Sequence, residues 1–462
     1  MIGILSLFLS SIALAEVDST IVDSDLQWWT TWEDSHVVQL IEEGLETSPD
    51  VSISLARVQQ AEALSKQLRS AFLPSISIAG SMNTQPADAL GFGFGLSNLD
   101  DLFPTDPNAP VEEEDEESSL FTSGNVALQV GLPLDVWGTG LANQKAATLD
   151  AEASELERLN SMRVLSTSIA NAYYDALAIH RQYAIVVEQQ QSSEAMLEIS
   201  TMRQKRDDAT ILDVLQQRQQ LHALQIQSIR TEQQLQVAEQ RLAVLLGRVP
   251  SQTDGLIVDN DFPTFSVEYD EVDINGILNE RLDVQSAERR VSSAEKRRYA
   301  AYTQMLPTLA LNGQLSRQAN YRGDEGAEWN TLDAWSAGGS VNLVVFQGGN
   351  KWAALESAEA ALVIAEENVQ KVRLQAEQEV RQTLLAETQQ QKIQSLVGAQ
   401  MTSAQSAHQE AMNRYQKGLT PYITVLSTQQ AHQQASLTQV QSSRDTVRIR
   451  LQTIQSLNIS SQ

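Results

Sequence analysis

A chain of 462 residues with a formal net charge of −27 is long enough for two or three ordinary domains, and its acidity argues against a nucleic-acid partner. It contains no cysteine, which excludes disulfides, thiolate metal sites and a cysteine nucleophile. Aromatic residues make up 5% and glutamine is abundant, which is poor material for a thick globular core.

Residues 1–15 are apolar and end in Ala13-Leu14-Ala15, the small-x-small pattern of a signal-peptidase site, so a signal peptide and an exported protein are expected. No Lys or Arg precedes the apolar run, which puts the start of the chain in question. Beyond it no apolar stretch reaches the roughly 18 residues of a transmembrane helix, so any membrane crossing has to be made by a β-barrel.

A helix is expected over about 50–72. Strands follow at about 73–82 and 125–136, where Ile76 and Ile78 alternate with Ser75 and Ser77, and Val126, Leu128, Val130 and Leu132 alternate with Ala127, Gln129 and Gly131. Such alternation is the signature of a lipid-facing barrel strand. The segment between them, about 82–124, reads as a solvated surface loop. Its Gly91-Phe92-Gly93-Phe94-Gly95 lacks the helix start and Lys of a phosphate cradle, and its acidic run Glu112 to Glu117 lacks the Gly and Asn spacing of an EF-hand.

From Leu141 to Leu246 there is neither Gly nor Pro, and apolar residues recur at Ile169, Ala172, Tyr173, Ala176, Ile179, Tyr183 and Val186. A narrow stripe over so long a run reads as a coiled-coil helical hairpin at about 139–246.

The chain then says nearly the same thing again. Arg57-Val58 with Ala61-Glu62 recurs as Arg290-Val291 with Ala294-Glu295, Leu73-Pro74 as Leu306-Pro307, Val130 and Leu132 as Val341 and Leu343, and Val214-Leu215 as Val425-Leu426. Repeat 1 therefore spans 16–249. Repeat 2 spans 282–462, with a helix at 283–305, strands at about 306–315 and 339–346 around a loop at 316–338, and a hairpin at about 350–457. The duplication sets Gly418 opposite Asp207 and Pro421 opposite Thr210, placing the hairpin turns near 206–209 and 417–420. Each first limb would extend roughly 100 Å at about 1.5 Å per residue. Four strands cannot close a membrane barrel, so they must be pooled among subunits or pack on something else.

These residues resemble the TolC family of bacterial outer membrane channels, most closely the efflux-pump (NodT-like) branch. The resemblance covers roughly 27–457. It is carried by Trp28-Trp29 and Trp32, Ser48-Pro49-Asp50-Val51, the two Leu-Pro pairs, Leu134-Asp135-Val136-Trp137-Gly138, Leu245-Leu246-Gly247-Arg248-Val249-Pro250, Phe346-Gln347-Gly348-Gly349 and Arg414-Tyr415-Gln416-Lys417-Gly418-Leu419-Thr420. The resemblance implies a homotrimer in the outer membrane of a Gram-negative-type bacterium. Its fold would be mainly α with a small β part, a trimeric α-barrel topped by a shared twelve-stranded β-barrel. An equatorial segment at 250–281 joins the repeats, and a periplasmic adaptor protein and an inner membrane pump are its partners. The lipidated cysteine of many relatives is absent.

The family often places acidic residues near the second hairpin turn as a constricting ring. Here the matching positions are Thr424 and Ser427, and only Asp213, opposite Thr424, keeps a carboxylate. Asp213, Thr424, Tyr422 and Leu419 are thus candidates for the constriction, with Asp207 and Asp208 adding charge at the first turn. An acid near a helix start is also favoured for purely local reasons. Arg206, Lys417, Gly418, Leu419 and Thr420 are candidates for adaptor contact.

No catalytic motif, cofactor fingerprint or metal-binding pair is visible, and His36, His180, His222, His408 and His432 read as solvated surface residues. The leading expectation is a passive exit duct of a tripartite efflux system for small molecules. The alternatives are the duct of a type I protein secretion system and a structural periplasmic coiled-coil spacer.

Overall fold

The computed structural model describes residues 28–32, 34–86, 120–207, 209–265, 273–322 and 328–457. The signal-peptide segment, the Gly91–Gly95 and Glu112–Glu117 stretches and Asp208 lie outside the described residues. After a 3₁₀ turn at Trp28–Thr31 come α1 (Ser35–Thr47), α2 (Pro49–Ser70), β1 (Ser75–Pro86), β2 (Leu120–Leu134), α3 (Thr139–Gln204) and α4 (Ile211–Leu245). The second half adds α5 (Ile274–Glu280), α6 (Leu282–Thr303), β3 (Thr308–Arg322), β4 (Asn330–Asn342), α7 (Asn350–Gln416) and α8 (Tyr422–Leu457). Among the described residues the protein is mainly helical with one small antiparallel sheet. No described helix is long and apolar enough to cross a membrane.

Two units are distinguished, Met1–Ala61 with Asp150–Val291 and Ile364–Gln462, and Glu62–Leu149 with Ser292–Val363. The second holds the sheet, ordered β1-β2-β3-β4 with every neighbouring pair antiparallel. Residues paired across the ladder share a face. One face therefore collects Ile76, Ile78, Val126, Leu128, Val130, Leu132, Leu309, Leu311, Leu315, Trp335 and Val341. The other collects Ser75, Ser77, Asn125, Gln129, Asn312, Gln314, Ser316, Ser336, Ser340 and Asn342.

The strands run further than the apolar alternation suggests. Most of the segment expected as a loop at 316–338 is paired, Ser316 to Asn320 with Ala334 to Asn330. The alternation fades because Arg317, Tyr321 and Asp333 take positions that leucine and valine hold nearer the strand entries, while the backbone ladder continues regardless of side chain. The helices entering and leaving this sheet are locked by the Leu-Asp-x-Trp-Gly motif. The Asp135 carboxylate accepts from the Gly140 and Leu141 amides at 3.1 and 2.9 Å, satisfying orphan donors at the start of α3. Trp137 Nε1 donates to Pro307 O at 2.7 Å, and Tyr299 donates to Trp137 O at 3.2 Å.

The first unit is built on an aromatic knot. Trp28 meets Trp32 edge-on with ring centroids 5.2 Å apart, and its Nε1 donates to Ser166 Oγ at 3.0 Å. Trp32 Nε1 donates to the Tyr174 hydroxyl at 2.8 Å, while Tyr173 donates to Val258 O at 3.2 Å. Burial and the nearby Asp34 carboxylate push both tyrosine hydroxyls up. The knot fastens the N-terminal turn and residues 256–265 against the middle of α3. The same unit fixes the C-terminal end of α8 with cations. Arg163 donates to Ile454 O and Gln455 O, and Arg281 donates to Ser456 O. Burial and the neighbouring Arg281 guanidinium lower Arg163 to about 10.

The histidines require a correction. Only His222 is exposed; His36 sits against Leu256 O at 3.1 Å, and His408 and His432 stack with centroids 5.8 Å apart. In a chain this rich in glutamine, a ring on the half-buried flank of a helix is not distinguishable by spacing from one facing water.

Replacing Trp28, 1% exposed, by Ala removes a knot residue and leaves a cavity. Trp28→Ala should lower stability by about 3–5 kcal/mol. The midpoint of chemical denaturation followed by circular dichroism reads this directly, and an unchanged midpoint would exclude the knot as a keystone.

Candidate functional site

The ends of the two helical hairpins bring most of the candidate residues together. At the second turn α7 closes in a Schellman motif: Gly418 N–H bonds Tyr415 O at 3.0 Å, and Leu419 N–H bonds Arg414 O at 2.9 Å. Gly418 takes φ +71°, where a side chain is strained. At the first turn the equivalent residue is Asp207, with φ 62°, and its N–H bonds Gln204 O at 3.1 Å. Asp is among the few residues besides Gly that enter this region.

Asp213 sits three residues after the N-cap Thr210. Its amide donates to Thr210 Oγ1 at 3.3 Å, and its carboxylate accepts from the Thr210 amide at 3.0 Å. This is a full capping box, so local structure already accounts for the carboxylate. Thr424 and Thr420 are half-buried, whereas Arg206, Asp207, Lys417, Gly418 and Leu419 are exposed. Leu419, a large apolar side chain, is 73% exposed at the turn.

Tyr422 is a different case. It is buried in a small cluster with Met196, Ala411, Tyr415, Val425 and Leu426, its ring edge-on to Tyr415 with centroids 5.8 Å apart. Its hydroxyl donates to Gln217 Oε1. Gln217, fully buried, donates through Nε2 to Ser193 O at 2.9 Å and to Ser193 Oγ at 2.8 Å. Three helices, α3, α4 and α8, thus meet in one satisfied polar network. Arg203 lies over the Tyr415 ring at 4.6 Å, and Gln430 Nε2 donates to Gln220 Oε1 at 3.0 Å. The two hairpins are therefore tied near their ends by an amide, a phenol and a cation–π contact.

Sequence reasoning picked out Tyr422 but missed Gln217 and Ser193. The signal was present. Val214, Gln217, Leu221 and Leu224 fall on one helical stripe, all buried. A glutamine at an apolar stripe position differs from the many glutamines elsewhere, because burying an amide without partners is costly.

The model of the outer membrane efflux protein family matches residues 40–248 and again 274–458. The pyoverdine export outer membrane protein OpmQ of Pseudomonas putida is 26% identical over 89% of this chain and 83% of its own length. Among solved structures, the outer membrane protein VceC of Vibrio cholerae aligns with a TM-score of 0.78 at 23% identity, over 94% of this chain and 98% of its own. The Campylobacter jejuni CmeC outer membrane channel gives a TM-score of 0.78 at 18% identity, over 94% of this chain and 88% of its own.

Burial, with Tyr415 and the Asp213 charge adding to it, pushes the Tyr422 hydroxyl from 10.0 up to about 12. The folded network therefore holds its proton more tightly than the unfolded chain. Its contribution is complete below the ordinary tyrosine value and is lost as pH rises towards about 12. Tyrosinate absorbance should show a late-titrating phenol at about 12, distinct from the still more strongly held Tyr173 and Tyr174, and only that component should vanish in Tyr422→Phe. That variant should also lose about 1–3 kcal/mol, because the Gln217 oxygen is left without its donor. A tyrosine titration identical in both proteins would count against the network.

Proposed function

The chain belongs to the outer membrane efflux protein family, and we propose that it serves as a passive exit duct whose inner end is held shut by the buried link between Tyr422, Gln217 and Ser193. It is an outer membrane channel with a large periplasmic helical part. The finer picture is a homotrimer. Four strands among the described residues, with no described partner on the outer edges of β1 and β4, leave backbone donors and acceptors that hydrocarbon cannot satisfy, so three copies pool their strands into one closed barrel of twelve. A periplasmic adaptor and an inner membrane pump supply the small-molecule cargo and the energy. The duct itself carries out no reaction.

The observation that carries the gating proposal is the network's position. A phenol from one hairpin buried against an amide of the other resists separation of the hairpins, and separation is what widening a ring of hairpin ends requires. Asp213, Thr424 and Leu419 stand at the same ends, and we assign them to the constriction, with Asp207 adding exposed negative charge at the first turn. Three copies of Asp213 would favour cations.

Single-channel recording of the reconstituted protein tests both points. The double variant Tyr422→Phe/Gln217→Leu removes the phenol and the amide together and should raise the mean conductance. Asp213→Asn should shift the reversal potential in a salt gradient towards weaker cation preference. Unchanged conductance in the double variant sinks the latch, and an unchanged reversal potential reduces Asp213 to its capping role.

Arg206, Lys417, Gly418, Leu419 and Thr420 form the proposed adaptor contact, because exposed Leu419 beside Lys417 offers the apolar anchor and charged rim of a docking patch. Gly418→Trp should abolish efflux in cells while leaving trimer level in the outer membrane intact. Preserved efflux with preserved trimer would rule the contact out.

A further inference from the structure

We propose that the apolar face of the sheet carries a seat for one phosphate-bearing lipid of the outer leaflet, its head on Arg317 and an acyl chain over Gly313. The proposal rests on the barrel reading above. The register sets Arg317 on β3 opposite Asp333 on β4 and opposite Val126 on β2, which places an ion pair on the face otherwise built of Ile, Val and Leu. Arg317 donates through Nε and Nη2 to the two Asp333 carboxylate oxygens at 2.6 and 2.7 Å. The side chains are 69% and 66% exposed. A lone charge on a lipid-facing strand is most costly at the bilayer midplane and far less so near the interface. This pair is neutral as a unit and lies well along the strands from their helix-joined ends, where Leu309 faces Val341. Further on, towards the β3–β4 connection, the rings of Tyr321 and Trp329 lie 5.3 Å apart, an aromatic pair of the kind that marks the headgroup level.

The ion pair uses only one edge of the guanidinium. No described residue accepts from Nη1, so that edge can donate to an oxyanion, and a planar fork suits phosphate.

The second observation lies beneath the pair on the same face. Gly313 leaves a gap: nothing stands within 4 Å of where its Cβ would be. The groove there has a volume of about 250 Å³ and is lined by Leu128, Val130, Leu315 and Trp335. Trp335, 78% exposed, forms one wall. An anion-binding edge towards the strand tips and a hydrocarbon groove towards the strand entries repeat the polarity of one outer-leaflet lipid. A free phosphate accounts for the first and leaves the groove without a role.

The test is native mass spectrometry of the full chain extracted as a trimer in detergent. The probes are a phosphorylated, multiply acylated glycolipid and the same glycolipid stripped of phosphate. Wild-type trimers should retain the phosphorylated form about tenfold more, about 1.4 kcal/mol. R317Q/D333N removes both charges together, and should erase that preference with the trimer mass unchanged. Gly313→Leu fills the groove and should weaken retention of both lipids. Equal retention of the two lipids by wild type, or a preference that survives R317Q/D333N, overturns the seat. Complete displacement by inorganic phosphate overturns its acyl half. Failure of the barrel reading looks different: a soluble chain that retains neither lipid in any variant.

Discussion

The unpaired edges of a four-stranded sheet are the constraint from which the rest follows. In water, β1 and β4 could expose their backbone groups, but a face of Ile76, Ile78, Val126, Leu128, Leu309 and Leu311 belongs in hydrocarbon, where an open edge is intolerable. The proposed closure with other copies would satisfy both demands. The same demand explains surfaces that are poor in a single chain. Ile364, Leu374, Leu385 and Leu396 along α7 are all exposed large apolar residues, too regular to be incidental and natural at contacts between copies.

A duplicated unit would make the two hairpins alike, and at their ends they are not. Gly418 has Asp207 as its counterpart, with nearly the same left-handed φ but a charged side chain. Gln217 corresponds to Thr428 and Ser193 to Ala404, so the second hairpin does not repeat this amide network at the matching positions. Symmetry supplies the scaffold. Its breaking supplies the buried Tyr422–Gln217 link between hairpins, and that link lies beside the residues assigned to the constriction.

Much of this could be read from the chain. Helices without Gly or Pro, alternation at Ile76–Ile78 and Val126–Leu132, and recurrence of both in order lead to a mainly helical protein with a small lipid-facing sheet. The Leu-Asp-x-Trp-Gly motif was recognisable as a mark, but its work was not: Asp135 caps α3 and Trp137 reaches Pro307, a residue of the other repeat. Gln217 escaped because its identity is common in this chain, and only its position on the Val214–Leu224 stripe is informative. The full reach of β3 and β4 escaped because backbone pairing persists where Arg317, Asp333 and Tyr321 interrupt the apolar pattern. Asp213 shows the reverse limit: a carboxylate at the right place for a pore is also at N3 of a capping box, and sequence assigns both roles with equal ease.

The two faces of the sheet also say where a passive duct can discriminate. On the polar face, short of Arg322 at the end of β3, the register holds Ser, Thr, Asn, Gln, Gly and Ala with a few apolar residues, and no charge. A wall of neutral hydrogen-bonding groups holds no strong field and distinguishes cargo weakly. Charge instead gathers at the hairpin ends, where Asp207, Asp213, Arg206 and Lys417 stand at or beside the turns that precede Gln217 and Tyr422 in the chain. Selection and closure would then be performed at one place. An exit that accepts whatever its pump delivers needs only to open on contact and to stay neutral beyond it.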